Sequence, residues 1–118
     1  MYTRLESTFN AKLVKSFLDL IVLTMLLEGP IHGYKLIADI HTLFGVLLSP
    51  GSLYPFLYSL EREQLVNTQQ EGKRKRYALT SEGRMRVVTM RSFYYSHVGR
   101  IQKFLDDGLM MGVINPDF

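Results

Sequence analysis

The sequence predicts one domain that is mainly α-helical and carries a small β-hairpin. Four stretches of the chain repeat apolar residues at helical spacing, as the faces of packed helices do. Two short stretches around a basic turn are typical of β-strands, and the second of them alternates apolar with other residues. The chain has 118 residues, of which 47% are hydrophobic, so it can bury one core but has little material for a second.

Composition excludes several classes of protein. The chain has no cysteine, which excludes a disulfide framework and cysteine-based metal or redox sites. Its N-terminus lacks the pattern of a secretory signal, and its most apolar stretch, residues 17–27, is about half as long as the roughly 20 residues that a membrane crossing needs. We therefore expect a cytoplasmic protein without a membrane segment. The net charge of +3 is only mildly basic, so the position of the cations matters more than their number.

The first elements are an arm and a long apolar helix. Residues 1–9 show no clean period and predict a loosely held arm. A first helix follows up to about Glu28, where Gly29-Pro30 ends it. Ser16 followed by Asp19 resembles a capping box, so the helix could also start or bend at Ser16.

A pair of helices joined by a turn comes next. Residues 32–44 repeat apolar side chains at the spacing of an amphipathic second helix, which Gly45 closes. Ser49 can cap a third helix that has Pro50 in its first turn and extends to about Gln64. The predicted core stripe of this helix is Leu53, Phe56, Leu57 and Leu60.

A hairpin and a last helix complete the chain. Residues 65–70 and 76–80 predict two strands on either side of a tip at residues 71–75. A last helix then begins at Thr80 or Ser81 and extends to about Asp107, with Gly108 just after its end. The predicted organisation is an N-terminal arm over residues 1–9, a winged helix-turn-helix domain over residues 10–80, a C-terminal dimerisation helix over residues 81–108 and a tail over residues 109–118.

Two helices, a turn and a hairpin are typical of the winged helix-turn-helix, whose second motif helix enters the major groove of DNA. Here that helix has no acidic residue in its N-terminal half, residues 52–59, and a helix N-terminus favours phosphate. Small Gly51 and Ser52 permit close approach, and the hydroxyls of Tyr54 and Tyr58 can reach a phosphate or a base edge. Alternatively, the segment is only a good helix start whose tyrosines cover the core.

The hairpin tip carries four consecutive cations, which are Lys73, Arg74, Lys75 and Arg76. Strand alternation points some of them to each face, and we expect the tip to project all of them from the body. Such a wing can lie along the phosphate backbone or place an arginine in the minor groove. A charge run can also be a solvated turn, so the prediction of DNA binding depends on its place in this order of elements.

Two of the predicted helices have more surface than the rest of one small chain can bury. Apolar residues surround nearly the whole first helix from Phe17 onward. The last helix is about 40 Å long at roughly 1.5 Å per residue. We therefore expect a homodimer, so that a second copy and double-stranded DNA are the partners. The predicted dimer interface consists of Phe17, Leu20, Ile21, Val87, Met90, Tyr94, Val98, Ile101 and Leu105.

Four sequence motifs carry a family resemblance. They are Leu27-Glu28-Gly29-Pro30-Ile31-His32-Gly33-Tyr34, Ser49-Pro50-Gly51-Ser52-Leu53-Tyr54-Pro55, Leu60-Glu61-Arg62-Glu63-Gln64-Leu65-Val66 and Arg76-Tyr77-Ala78-Leu79-Thr80. In this order and spacing they resemble the PadR family of transcriptional regulators, and the single C-terminal helix is similar to the short subfamily. The resemblance implies a dimeric winged-helix repressor whose last helix exchanges contacts with the partner's first helix. Gln64 departs from the family, which usually has glycine there, and the wing reads Gly-Lys-Arg-Lys-Arg-Tyr where relatives commonly have Gly-Arg-Pro-Arg-Lys-Tyr-Tyr.

The residues expected to contact DNA combine the third helix, the wing and the positions that the resemblance implies. They are Tyr34, Lys35, Ser49, Gly51, Ser52, Tyr54, Tyr58, Lys73, Arg74, Lys75 and Arg76. The alternative function is a winged-helix module that binds another protein through the same surface. In that case acidic residues are expected nearer the tip.

Other activities have less support from the sequence. His32, His41 and His97 lack metal-ligand spacing, and the neighbouring residues 106 and 107 point to different sides of a helix end. We therefore expect neither an enzyme nor a metal or cofactor site. The resemblance also suggests a small aromatic effector at the dimer interface, although aromatic and methionine side chains at helical spacing are commonly plain core. The residues that could line such a site are Phe17, Met90, Phe93, Tyr94 and Phe104.

Overall fold

The computed structural model describes the backbone of residues 3–114 and the side-chain burial of residues 3–109. The helices are α1 (Arg4–Ser16), α2 (Leu18–Met25), α3 (Gly33–Phe44), α4 (Pro50–Arg62) and α5 (Ser81–Ile114), and the strands are β1 (Ile31–His32), β2 (Val66–Glu71) and β3 (Arg74–Leu79). The strands form one antiparallel sheet in the order β1-β3-β2. The chain is thus mainly helical with a small sheet and a long C-terminal helix, which confirms the predicted fold class. It forms two compact units, divided within α5 between Val87 and Val88.

The N-terminal arm predicted over residues 1–9 is wrong from Arg4 onward, because α1 begins there. Thr3 and Glu6 form a capping box in which the Thr3 hydroxyl accepts from the backbone N–H of Glu6 at 3.2 Å and the Glu6 carboxylate accepts from the N–H of Thr3 at 3.1 Å. These bonds satisfy helix-end donors that would otherwise be left to water. The capping-box motif is in the sequence but was overlooked there.

The helix breaks at Phe17, so the predicted alternative of a bend near Ser16 is confirmed. The predicted capping box at Ser16 is wrong, because the Ser16 hydroxyl donates back to the carbonyl of Lys12 at 2.8 Å. Such back-bonding competes with the regular helix ladder and bends helices. Phe17 ends α1 and precedes α2 with φ −109° and ψ 20°.

The first unit buries a continuous apolar core. The predicted stripe of α4 is confirmed at Leu53, Leu57 and Leu60, while Phe56 is half-buried. The core residues from the other helices are Val14, Leu18, Val22, Leu23, Leu36, Ile40 and Val87. Burying one such side chain stabilises the fold by about 1.5–3 kcal/mol, so this layer fixes α4 on the rest of the unit.

The hairpin is tighter than the sequence predicted. Its strands pair from Val66↔Leu79 to Glu71↔Arg74, which leaves a loop of only Gly72-Lys73. Gly72 has φ 60°, a conformation that glycine adopts without steric cost. The predicted five-residue tip is therefore wrong, and Arg74 and Lys75 belong to β3.

Strand β1 was not predicted, because its two residues are too short to show a period. Ile31 pairs with Tyr77 and His32 pairs with Arg76. These pairs hold the start of α3 against the middle of β3. They end before the hairpin tip.

Helix α5 begins at Ser81 as predicted, and the Thr80 hydroxyl accepts from the N–H of Gly83 at 2.9 Å. The predicted end near Gly108 is wrong, because the helix continues to Ile114. A helical glycine costs only about 1 kcal/mol relative to alanine, and the leucine and methionines that follow are good helix formers. Of the predicted tail, residues 109–114 are helical and residues 115–118 lie outside the described residues.

Gln64 occupies a left-handed turn, with φ 62°. It lies between the end of α4 and β2, where its N–H donates to the carbonyl of Glu61 at 2.9 Å and its own carbonyl accepts from the Thr80 hydroxyl at 2.7 Å. Residues with a Cβ rarely adopt this conformation. The glycine that is usual in the resembled family suits this turn without strain.

Replacing Gln64 by glycine is therefore expected to stabilise the protein. The left-handed conformation costs a non-glycine residue roughly 1–2 kcal/mol, and the greater freedom of glycine in the unfolded chain offsets part of the gain. We expect Gln64→Gly to raise the free energy of unfolding by about 0.5–1 kcal/mol in urea titrations. Gln64→Ala, which keeps the Cβ, serves as the control and should give no gain. A destabilised glycine variant would contradict strain at this turn.

Candidate nucleic-acid interface

Residues from three separate elements converge on one exposed groove of about 600 Å³. Its border includes Tyr34 at the start of α3, Tyr54 and Tyr58 on α4, and residues 73–75 of the hairpin. We call this surface the tyrosine groove. Sequence reasoning selected each of these residues separately, and the structure places them around the same space.

The start of α4 has the predicted cap. The Ser49 hydroxyl accepts from the N–H of Ser52 and also donates to the Ser52 hydroxyl, both at 3.1 Å, and Pro50 occupies the first turn. Gly51 is exposed, and a Cβ built on it would meet only the Ser49 hydroxyl, at 3.8 Å. Another molecule can therefore approach the backbone closely at this point.

Tyr54 is held in place by its packing on α3. A Cβ at Gly33 would lie 2.7 Å from Cε1 and 2.9 Å from the hydroxyl oxygen of Tyr54, so only glycine allows this contact. Tyr58 is one turn further along α4 and is 60% exposed. Of the two rings, Tyr54 is thus fixed by the fold and Tyr58 is presented to solvent.

Tyr34 and Arg74 form a pair that the sequence did not predict. The Arg74 guanidinium lies 4.7 Å from the centre of the Tyr34 ring, and its Nη1 donates to the Tyr34 hydroxyl at 3.4 Å. The Tyr34 ring also stacks on His32, with centroids 5.5 Å apart. The wing arginine is therefore anchored on the start of α3 through a cation–π contact.

Arg76 does not project from the tip with the other cations, so the expectation that all four project is wrong. It is half-buried, and its Nη1 lies 3.0 Å from Glu71 Oε1. In the described part of the chain its Nε is buried without a hydrogen-bond partner. The physical reason is the short loop, because strand alternation and pairing with β1 place Arg76 within the sheet.

Glu71 is the carboxylate that pairs with this arginine. Its Oε2 lies 3.0 Å from His32 Nε2, and the hydrogen bonds from Arg76 and His32 lower its pKa below the ordinary value. Because folding lowers this pKa, the stabilising contribution is present above the ordinary titration range of a carboxyl group. It is lost as the pH falls through the lowered pKa.

Lys35 lies away from the tyrosine groove, although sequence reasoning grouped it with the contact residues. Its Nζ forms an ion pair with Asp39 Oδ2 at 2.8 Å. It borders a different groove, of about 590 Å³, together with Glu28 and Asp39. One residue corresponds to about 100° around a helix, so Tyr34 and Lys35 face different sides.

Sequence reasoning missed two polar residues of the tyrosine groove, Glu61 and Gln70. Glu61 lies just beyond the acid-free half of α4 and accepts a hydrogen bond from the Thr68 hydroxyl at 2.8 Å. Tyr77 lines the floor, and burial, with smaller effects of Tyr54 and Glu61, raises its pKa. The helical spacing of three residues from Tyr58 to Glu61 could have revealed the acid.

The residues predicted for a dimer interface differ in their exposure. Val87 is only 4% exposed within the first unit, so it belongs to the protomer core and is not available to a partner. The half-exposed members are Phe17, Leu20, Ile21, Met90, Tyr94 and Val98, and the exposed members are Ile101 and Leu105. Of the predicted effector residues, Phe93 and Phe104 are exposed as well. The interface and the effector site stay predictions.

The described residues show neither a cluster of metal ligands nor a membrane-spanning helix. Across residues 3–114 no three or more histidine, cysteine, aspartate or glutamate side chains are grouped so that they could hold a metal ion. None of the helices in this part of the chain combines the length and the apolar character needed to span a membrane.

Known proteins are similar in sequence to part of this chain. The chain is 44% identical over 67 residues to an uncharacterised 37.1 kDa protein in transposon TN4556 of Streptomyces fradiae, a match that covers 56% of this chain and 19% of that protein. It is 38% identical over 74 residues to the transcriptional activator GvpE of Haloferax mediterranei, which covers 62% of this chain and 38% of GvpE. The chain therefore spans well under half the length of either relative.

Solved structures share its fold. A PadR family transcriptional regulator from Eggerthella lenta superposes with a TM-score of 0.72 at 26% identity and covers 84% of this chain and 90% of its own. A PadR-like transcriptional regulator from Bacillus cereus gives 0.71 at 20% identity, with 80% and 96% covered. A family model described as the transcriptional regulator PadR-like family matches residues 22–88. Because this match includes the motif helices and the wing and extends over more than half of the chain, the protein belongs to the PadR-like family of transcriptional regulators.

Proposed function

We propose that this regulator binds double-stranded DNA as a homodimer at a two-fold symmetric site. The observation that carries the proposal is the convergence of Tyr54 and Tyr58 of α4, Tyr34 and the hairpin cations on one exposed groove. A helix that has an exposed, capped N-terminus and borders a groove together with a basic wing matches the geometry with which winged helices meet a duplex. We propose neither a catalytic activity nor a cofactor for this protein.

The start of α4 is the element proposed to enter the major groove. Gly51 leaves open space, and both the neighbouring Ser52 and Tyr58, about two turns further along α4, are exposed. Hydroxyl groups can bond to base edges as well as to phosphates. Tyr54, which packs on Gly33, is better suited to a fixed phosphate contact.

The two exposed lysines of the wing are proposed to supply affinity that depends little on sequence. Lys73 and Lys75 are exposed and form no ion pair within the described residues. Cations of this kind gain free energy by releasing counterions from DNA. Arg74 is exposed too, but its contact with Tyr34 gives it a defined direction.

The homodimer is proposed to form through apolar faces that one protomer leaves exposed. On α5 these residues include Ile101, Phe104 and Leu105, of which Phe104 is 75% exposed. On α1 they are Leu5, Phe9 and Leu13, which follow one another at the spacing of a single helix face. Exposed apolar faces of this kind mark interaction surfaces, and a second copy provides a matching pair.

Repression is the proposed mode of regulation, because a protein that occupies a promoter duplex excludes others without any further contact. Activation is the second candidate, since the relative GvpE is named a transcriptional activator. A module that binds protein through the same groove is the third, and the nearby carboxylate of Glu61 favours it.

Selection of bound duplexes from a random-sequence pool decides between DNA and protein binding. We expect a palindrome with half-sites about 10 base pairs apart, or a multiple of that, whereas failure to enrich any duplex would contradict the proposal.

Removing the unpaired wing cations should weaken binding to all DNA sequences alike. We expect Lys73→Ala with Lys75→Ala to lower affinity for selected and random duplexes equally. The slope of log affinity against log salt should become less steep by about 0.9 for each phosphate that the variant no longer neutralises. Arg4→Ala with Lys15→Ala, which removes the same charge from α1, is the matched control. Equal salt slopes for the wing variant and the wild type would show that these lysines are only solvated.

A charge on the exposed apolar face of α5 should separate the protomers. We expect Leu105→Asp to reduce the mass in light scattering from about twice that of the chain toward that of a monomer, because an unpaired buried charge costs several kcal/mol. Ser96→Asp, on the opposite face of the helix, should leave the mass unchanged. A wild-type chain that is monomeric at micromolar concentration would rule out the homodimer.

A further inference from the structure

One carboxylate connects all three strands of the sheet. Glu71 at the end of β2 contacts His32 of β1 through Oε2 and Arg76 of β3 through Oε1, at 3.0 Å in both cases. The register puts these groups on one face, because His32 pairs with Arg76 and Glu71 pairs with Arg74. Directly paired residues point to the same side of a sheet.

The Glu71 carboxylate belongs to the part of the hairpin that extends beyond the last backbone pair between β1 and β3. The last backbone pair between β1 and β3 is His32↔Arg76, so residues 70–75 extend beyond it as a two-stranded ribbon. An isolated pair of strands is at best marginally stable in water. The side chain of Glu71 therefore provides a contact between this extension and the body of the domain.

The contacts continue from Glu71 to the exposed arginine of the wing. His32, which Glu71 holds, stacks on Tyr34. Tyr34 in turn lies 4.7 Å from the guanidinium of Arg74. A displacement of the His32 ring would therefore remove a contact that holds the Tyr34 ring, on which Arg74 rests.

The charge of Glu71 also affects the two arginines of β3. Arg74 and Arg76 share one face of β3, and like charges two residues apart on a strand repel each other. Glu71 neutralises Arg76 and keeps it within the sheet. The cation that this face directs outward is then Arg74.

We propose that Glu71 is a positioning residue that fixes the wing tip and Arg74 relative to α3 and α4, so that the wing favours the cognate site over random DNA. This inference rests on the proposed DNA binding. It assigns a favourable role to an acidic residue that simple electrostatics would count against DNA affinity. The two accounts make opposite predictions for the loss of its charge.

The test compares Glu71→Gln with Glu63→Gln, which removes the same charge from the exposed end of α4. Electrostatics alone predicts that both variants bind every duplex slightly more tightly. The positioning role predicts that Glu71→Gln alone lowers the ratio of cognate to random affinity, by roughly two- to fivefold, the amount that exposed ion pairs contribute. Equal ratios in the two variants would overturn the proposal.

A second measurement needs no DNA. Amide hydrogen exchange at Arg74, which pairs with Glu71 across the two-residue loop, should be faster in Glu71→Gln than in the wild type and in Glu63→Gln, because the ribbon opens more often without its anchor. Unchanged exchange would overturn the proposal even if DNA affinity changed. A wild-type chain that binds no duplex would refute the proposed function, while the exchange rates would still decide whether Glu71 holds the wing.

Discussion

The contact between Tyr54 and Gly33 brings the parts of the candidate interface together. A Cβ at position 33 would lie 2.7 Å from the Tyr54 ring, so the first turn of α3 must pass α4 with no side chain between them. The next residue after Gly33 is Tyr34, and the guanidinium of Arg74 in the wing lies 4.7 Å from the centre of its ring. Three elements that are far apart in sequence therefore border one groove, and the role proposed for each depends on this close approach.

The cations of the wing differ in the roles that their surroundings allow, which are affinity for DNA in some and positioning in others. Lys73 and Lys75 are exposed without ion pairs in the described part of the chain, as a sequence-independent phosphate contact requires. Arg76 is paired with Glu71 instead, and Arg74 rests on Tyr34. Four consecutive cations thus have three different environments, which follow from the two-residue loop and the alternation of β3.

The sequence predicted the features that local patterns determine. The α4 cap at Ser49 and the start of α5 at Ser81 follow from side chains within a few residues of each helix end. Features that depend on distant partners were missed or misjudged, such as the pairing of Arg76 with Glu71. Val87 shows the same limit, because helical periodicity identifies an apolar face but does not say whether the protomer or a partner covers it.

The central claim, that DNA meets the start of α4, is tested most directly by Gly51→Glu. The free protein has space at this position, and an acidic residue in the first turn of a helix favours folding, so thermal stability should be equal or higher. A carboxylate facing the phosphates should nevertheless reduce affinity for a selected duplex by at least about tenfold, which corresponds to about 1.4 kcal/mol. Ser7→Glu on α1, with the same charge change, should bind nearly as the wild type does. A Gly51→Glu variant that bound the duplex as tightly as the Ser7→Glu variant would contradict this account.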